Sequence, residues 1–329
     1  MRYKTILVLM VILGVCLSQA YAGSDRRLGT AGAQELRIPV GARGTAMGGA
    51  IIADVSGLEA VHWNPAGLAT QSGTEAMFSH QPYLADVDVN FAGVAANIEG
   101  FGTLAAAAKI VSIGEMEETT DAFPDGTGRI FSPTLSVISL TYSRVLTYRV
   151  LFGMTGKFIY EKIFEASASG AAFDIGFVYD PEWRGLKLGL AVRNYGPEMR
   201  FAGDGFNRPL GDRQAAPRSG SFDLPSSFNL GFSYDLLDAN RSAASVSGTF
   251  CSNNYSQDIW QGGAEYVYDD RYALRVGYNY SDQNDWLYGV SIGGGVLINI
   301  NETKLSVDYT WSDTEIFKDN QYFTVKMLF

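Results

Sequence analysis

Gly289-Val290-Ser291-Ile292-Gly293 spells G-x-S-x-G, the arrangement that lifts a nucleophilic serine onto a sharp strand-to-helix turn. That chemistry needs a helix after the serine and a partnered histidine. Here the run continues into Gly294-Gly295 within an alternating, strand-like stretch, so the match reads as coincidence. The sequence holds two histidines, His62 and His80, and neither stands at metal-ligand spacing from a cysteine or a second histidine. His62, beside Trp63, reads as a packed or hydrogen-bonded residue rather than a base. Gly41-Ala42-Arg43-Gly44 through Gly48-Gly49 lacks the preceding strand and the spacing of a phosphate loop. Asp282, Asn284 and Asp285 supply oxygens for calcium but not the full twelve-residue pattern, so a solvated turn is expected. Glu117-Glu118 lie in a loop with nothing to raise one pKa. No catalytic, cofactor or metal constellation results, and a non-enzyme without a cofactor is expected.

The elements that carry these residues are alternating segments. In Tyr148 to Glu161, Tyr148, Val150, Phe152, Met154, Phe158 and Tyr160 share one face; Arg149, Thr155, Lys157 and Glu161 share the other. Phe173/Ile175/Phe177/Tyr179, Phe228/Leu230/Phe232/Tyr234 and Leu305/Val307/Tyr309/Trp311 repeat the two-residue period. Fourteen such segments are expected, near 74–83, 86–98, 102–113, 134–146, 148–163, 168–180, 186–199, 225–237, 242–254, 258–269, 272–280, 286–298, 303–314 and 320–329. Most are about ten residues or longer, the reach of a tilted strand across a bilayer, whereas strands of soluble sheets cluster near five or six. The expected fold is all-β: a transmembrane antiparallel barrel of about fourteen strands over residues 74–329. Glu115 to Pro133 and Arg200 to Leu224, the long connections, both follow odd strands, and the connections after even strands are short turns. With a periplasmic amino terminus the long loops fall outside, as outer-membrane barrels require. Both termini are then periplasmic.

Residues 1–22 form an export signal: Arg2 and Lys4, the apolar stretch Thr5 to Ser18, and the small-residue site Ala20-Tyr21-Ala22. Cys16 follows Leu13-Gly14-Val15, which sets a branched residue where lipoprotein processing prefers a small one. Removing the signal leaves Cys251 as the sole cysteine, so no internal disulfide staples the fold. Taking away Arg2 and Lys4 also leaves 23 basic residues (25 less 2) against 35 acidic ones, a net charge of −12. Nucleic acid, which needs a basic footprint, is excluded as a partner. Neutral overall hydropathy with 13% aromatics suits a barrel, where apolar residues occupy alternate positions and aromatics gather at the lipid interfaces.

The final strand sets Phe323, Val325, Met327 and Phe329 on one face up to a carboxyl-terminal aromatic, resembling the signal read by the barrel-assembly machinery. Outer-membrane lipid and that machinery are therefore the first expected partners. Ala33 to Thr70 lacks alternation and is rich in Gly and Ala. A fourteen-stranded barrel encloses more space than its own side chains fill. Residues 23–73 are accordingly expected in the lumen as an amino-terminal hatch. Pro65 forces Asn64 out of the helical region, Asn64 can bond the backbone that follows, and Gly67 permits a left-handed turn. The result is a tight, self-satisfied bend.

Met47, Gly48 and Gly49 in Ala46-Met47-Gly48-Gly49-Ala50, with Trp63, Asn64, Pro65 and Gly67 in Trp63-Asn64-Pro65-Ala66-Gly67-Leu68, resemble the hatch motif of the FadL-type barrels. Ala33-Gln34-Glu35-Leu36-Arg37-Ile38-Pro39-Val40-Gly41-Ala42-Arg43 is similar to the PorV/PorQ branch of that superfamily. The resemblance implies a fourteen-stranded outer-membrane protein that takes part in type IX secretion by docking secreted cargo or secretion components. The alternative it implies is FadL-like passive transport of hydrophobic small molecules, with a pocket between hatch and wall. That alternative also expects a lateral gap where Gly293 to Gly295 weaken a strand.

Overall fold

The computed structural model describes residues 29–84, 87–203, 219–282, 286–314 and 319–329, and 208–210 and 213–215 as backbone. The expected leader, Cys16, Asn284 and Asp285 lie outside these residues. Fourteen antiparallel strands form the wall: β1 (Thr74–Pro82), β2 (Asp88–Ile98), β3 (Gly102–Ser112), β4 (Thr134–Thr147), β5 (Val150–Ile163), β6 (Ala166–Tyr179) and β7 (Lys187–Tyr195). The second half comprises β8 (Ser227–Ala239), β9 (Ser242–Asn253), β10 (Ile259–Tyr268), β11 (Tyr272–Ser281), β12 (Tyr288–Ile300), β13 (Thr303–Thr314) and β14 (Asn320–Leu328). Each strand pairs with its sequence neighbours, and β1 pairs with β14 from Glu75↔Leu328 to His80↔Phe323, which closes the ring. Phe329 continues that seam by exchanging backbone hydrogen bonds with Thr74 (2.8 and 3.3 Å). Closure removes the edge strands, so backbone polar groups around the wall satisfy one another.

Alternation decides which side each residue faces. On β5, Met154 and Phe158 are exposed while Thr155, Lys157, Ile159 and Glu161 are buried. On β14, Phe323 and Met327 face out while Tyr322 and Thr324 are buried inside. Phe173, Leu230, Leu274 and Ile292 extend the same apolar exterior around the circumference. An apolar surface of this extent is stable against lipid, not water. No helix among the described residues is long and apolar enough to cross a membrane, so the crossing is made by strands.

The two ends of the barrel differ. Short hairpins close one end, here the turn end. In Tyr268–Arg271, Asp269 and Asp270 take φ of 54° and 53°, and the Arg271 N–H donates to Tyr268 O (3.1 Å). Two successive left-handed residues match the twist of a two-strand ribbon. The long connections after β3 and β7 leave from the opposite, loop end. In the first, Met116–Glu117 and Ile130–Phe131 pair as a small hairpin; in the second, Arg208–Leu210 pairs with Arg213–Ala215.

The wall departs from expectation at two places. β7 stops at Tyr195 rather than Met199. Asn194 takes a left-handed φ of 56°, its N–H donates to Asp174 Oδ1 (2.7 Å), and its Oδ1 accepts from Lys157 Nζ (2.7 Å). These bonds turn the chain out of the ladder, so Ala168–Ala172 of β6 lose a β7 partner. At Gly293–Gly295 the expected gap is absent. All three residues pair with β11 on one side and β13 on the other.

Candidate functional site

The segment before β1 lies along the inner face of the wall. It starts at the loop end, where the Gly32 N–H donates to Asp223 O (3.0 Å), and reaches Thr74 at the turn end. Between them stand the short helices Gln34–Leu36, Ala42–Ala46, Gly57–Val61 and Pro65–Thr70. Val40, Ile51, Ile52, Leu58, Val61 and Leu68 bury against Met77, Phe91, Ala95, Ala105, Ala107 and Ala191 of the wall.

The motif residues act as contact points. Asn64 is fully buried. Its Oδ1 accepts from the Ala66 N–H (3.1 Å), capping the turn that Pro65 opens, and its Nδ2 donates to Ile52 O (2.7 Å) and Phe177 O (3.2 Å). Trp63 Nε1 donates to Val40 O (2.9 Å). A Cβ on Gly67 would collide with Val55 O. Gly67 therefore serves close approach rather than a left-handed turn. Gly48 and Gly49 do take left-handed φ (63° and 83°) and bring the backbone beside Tyr278 and Gln261, while Met47 is buried with its carbonyl facing Gly263. Phe323, Met327 and Phe329 are exposed on the lipid-facing side, with Val325 half-buried between them.

Sequence reasoning missed the wall's half of this fit. Gly153, Gly176, Gly189, Gly263, Gly277 and Gly293 sit in strands where a Cβ would strike the segment's own atoms: Pro65, Asn64, Ile52, Met47, Gly48 and Ala46 in turn. The signal was present, because glycine within a strand often marks a close backbone approach.

Ion pairs fasten the same contact. Arg43 donates to Glu265 (Nε–Oε1 3.0 Å, Nη2–Oε2 2.8 Å) and to Asp54 Oδ2 (2.8 Å). Arg275 bridges Glu265 and Asp308 (both 2.6 Å), Lys187 holds Asp54 (2.7 Å), and Lys326 holds Glu59 (2.6 Å). Although burial alone would raise it, the carboxyl of Asp54 is held below the ordinary carboxylate range by Arg43 and Lys187.

Above the segment, toward the loop end, the lumen encloses a cavity of about 390 Å³. Small-molecule sites span about 300–1,000 Å³. Trp63, Tyr83, Tyr255, Trp286, Tyr288 and Tyr322 ring it, Ile259, Leu135 and Val111 add aliphatic wall, and Thr45, Gly48 and Ile52 form its floor. Tyr83 and Tyr288 share a hydrogen bond of 2.6 Å between their hydroxyls. His62 and Arg193 meet at this floor, Arg193 Nη2 to His62 Nε2, 3.1 Å. Burial and the neighbouring guanidinium push His62 well below its ordinary range, so its ring is neutral. A guanidinium only donates, which makes Nε2 the acceptor.

The residues first screened for chemistry are dispersed. Ser291 lies on β12 with its hydroxyl 3.1 Å from that of Ser312. His80 Nδ1 is 2.9 Å from Asn90 Oδ1. No group of three metal-ligating side chains assembles among the described residues.

No family model and no curated protein matches the sequence. Solved structures do match the fold. The toluene transporter TodX of Pseudomonas putida aligns at 13% identity and a TM-score of 0.56, over 88% of this chain and 96% of that one. The toluene transporter TbuX of Ralstonia pickettii aligns at 11% identity and 0.53, over 88% and 98%. A FadL homologue of Pseudomonas aeruginosa aligns at 14% identity and 0.50, over 88% and 97%. At such identities the likeness is one of architecture, and the chain has the closed fourteen-stranded barrel fold of these transporters and FadL-type proteins.

Proposed function

We propose that the protein is an integral outer-membrane barrel that passively admits small hydrophobic molecules, with the segment before β1 acting as a hatch. The observation that carries this reading is the aromatic-lined cavity above that segment. It supplies an apolar stopping place inside a polar-lined lumen, which a purely structural barrel does not need. The toluene transporters among the fold's neighbours support the same substrate class. The same reading includes a sideways exit, for which the incomplete β6–β7 pairing is the candidate. Ala168–Ala172 of β6 are paired with β5 but have no β7 partner on the other side, where buried Met199 packs against Ala168 and Ala172 and its backbone exchanges two hydrogen bonds with Phe222 (both 2.9 Å). That site takes over the role expected of Gly293–Gly295.

The test is uptake. Cells that lack the protein should take up labelled toluene more slowly from dilute solution, and equal uptake overturns the reading.

Docking of secreted proteins in the PorV/PorQ manner is the second reading. One structural observation favours it: the loop-end hairpin exposes Met116, Phe123 and Ile130. An exposed apolar cluster suits a protein partner. Pull-down from mildly solubilised membranes should then recover signal-bearing cargo or a secretion component; recovery of neither counts against it.

A further inference from the structure

We infer that Arg193 forms a carboxylate-binding subsite at the cavity floor, and that the molecules taken there are small aromatic acids. This deepens the transporter reading and rests on it.

The other buried basic groups in the lumen are satisfied, and Arg37, exposed at the cavity's edge and without a carboxylate partner among the described residues, bonds Gln34 Oε1 (2.8 Å) and lies over the Tyr255 ring (4.3 Å to the centroid). Arg43, Arg275, Lys157, Lys187 and Lys326 each pair with a carboxylate, and Lys109 donates to Ile38 O (2.9 Å). Arg193 differs. It is 8% exposed, it lines the cavity, and among the described residues no carboxylate pairs with it. Its partners are the neutral ring of His62 (3.1 Å) and the face of Trp63 (5.6 Å to the centroid), and its Nε has none. A buried guanidinium held only by neutral groups is costly, and an anion within reach removes that cost.

The surrounding charges leave room for one. Asp174 is occupied by Lys157 (2.5 Å) and by the Asn194 N–H. Glu35 also lines the cavity, but burial and the facing Glu161, opposed by Lys109, push its carboxyl up to about 8. It is therefore neutral at neutral pH and does not repel an anion. Ser227, directly opposite Arg193 on β8, and Asn229 two residues on add polar groups at the same wall. The remainder of the cavity is aromatic, with Trp63, Tyr255, Trp286 and Tyr288 available to pack against a ring. A cavity of about 390 Å³ suits a ring bearing a carboxylate. Offset and edge-on ring contacts favour an aromatic body over an aliphatic chain.

The experiment is a tryptophan-fluorescence titration of the full barrel in lipid nanodiscs with benzoate, toluene and octanoate. Benzoate should bind at least about tenfold more tightly than toluene, as expected for a hydrogen-bonded charge. Arg193→Met should weaken benzoate about tenfold or more and leave toluene within about twofold. Arg193→Gln serves if the first variant does not fold, and the wild-type ratio needs no variant. Toluene binding equal to or tighter than benzoate, or benzoate binding unchanged by the substitution, overturns the inference and leaves the transporter reading standing. Octanoate binding equal to benzoate overturns the aromatic assignment. Binding of none of the three overturns both the subsite and the reading beneath it.

Discussion

Gly262 and Gly263 are neighbours on β10 whose missing side chains point to opposite sides of the wall, and alanine at each should give opposite results. A Cβ on Gly262 meets nothing within 4 Å. Because glycine in a strand costs roughly 0.5–1 kcal/mol relative to alanine, Gly262→Ala should be neutral or slightly stabilising. A Cβ on Gly263 would lie 2.7 Å from the carbonyl oxygen of Met47, whereas ordinary contact begins at 3.4 Å. About 0.7 Å (3.4 less 2.7) must be found between two backbones, and neither can rotate away as a side chain would. The wall is bonded to β9 and β11 on its two sides, so the amino-terminal segment yields. Overpacking of this kind costs roughly 1–3 kcal/mol, and about 2 kcal/mol is expected for Gly263→Ala. The assay is urea unfolding in detergent, read as the loss of the fast-migrating unboiled band, with limited proteolysis after Arg43 as a local probe. Gly263→Ala should unfold at lower urea and be cleaved sooner. Equal behaviour of the two variants would refute the claim that the segment is seated against this strand.

Three further outcomes follow from the same contact. Glu265→Gln leaves Arg43 and Arg275 facing each other across a neutral amide. With Asp54 and Asp308 still in place and Arg43 16% exposed, the loss should be about 3 kcal/mol, the low end for a broken buried pair, and a cycle with Arg43→Met should show coupling. Asn64→Ala removes a helix cap and the donor to the buried Ile52 carbonyl and the half-buried Phe177 carbonyl, so about 2–3 kcal/mol is expected in the same urea titration, with no gain in the unfolded band at zero urea. Glu35 is raised from 4.5 to about 8 by burial and then by Glu161. A raised carboxyl stabilises the folded state fully below pH 4.5 and loses that contribution as pH rises through 8. Protease resistance around Gln34–Leu36 should therefore fall as pH rises from about 4.5 to about 8 and level off above that, and Glu35→Gln should abolish the fall.

The wall was legible in the sequence because membrane strands repeat every second residue, and inward Thr155, Lys157 and Glu161 alternate visibly with outward Met154 and Phe158. The end of β7 was not. Arg193-Asn194-Tyr195 keeps a strand-like polarity, and the turn at Asn194 depends on Asp174 and Lys157, which sequence distance hides. Gly293–Gly295 misled for a related reason. Local propensity reads them as weakness, yet Gly293 makes room for Ala46 and Gly295 sits beside Asp308 and Arg275. The tight bend at Asn64-Pro65 was readable from local chemistry alone. The cavity was not, since its aromatics come from both the lumen segment and four separate stretches of the wall and its connections.

The most direct measurement is the location of a heavy-atom hydrophobe. Crystals of the barrel exposed to bromobenzene should show the bromine inside the lumen, among Trp63, Tyr255 and Trp286 at the loop end. Bromine found only on the lipid-facing surface, with the lumen empty, would contradict the account.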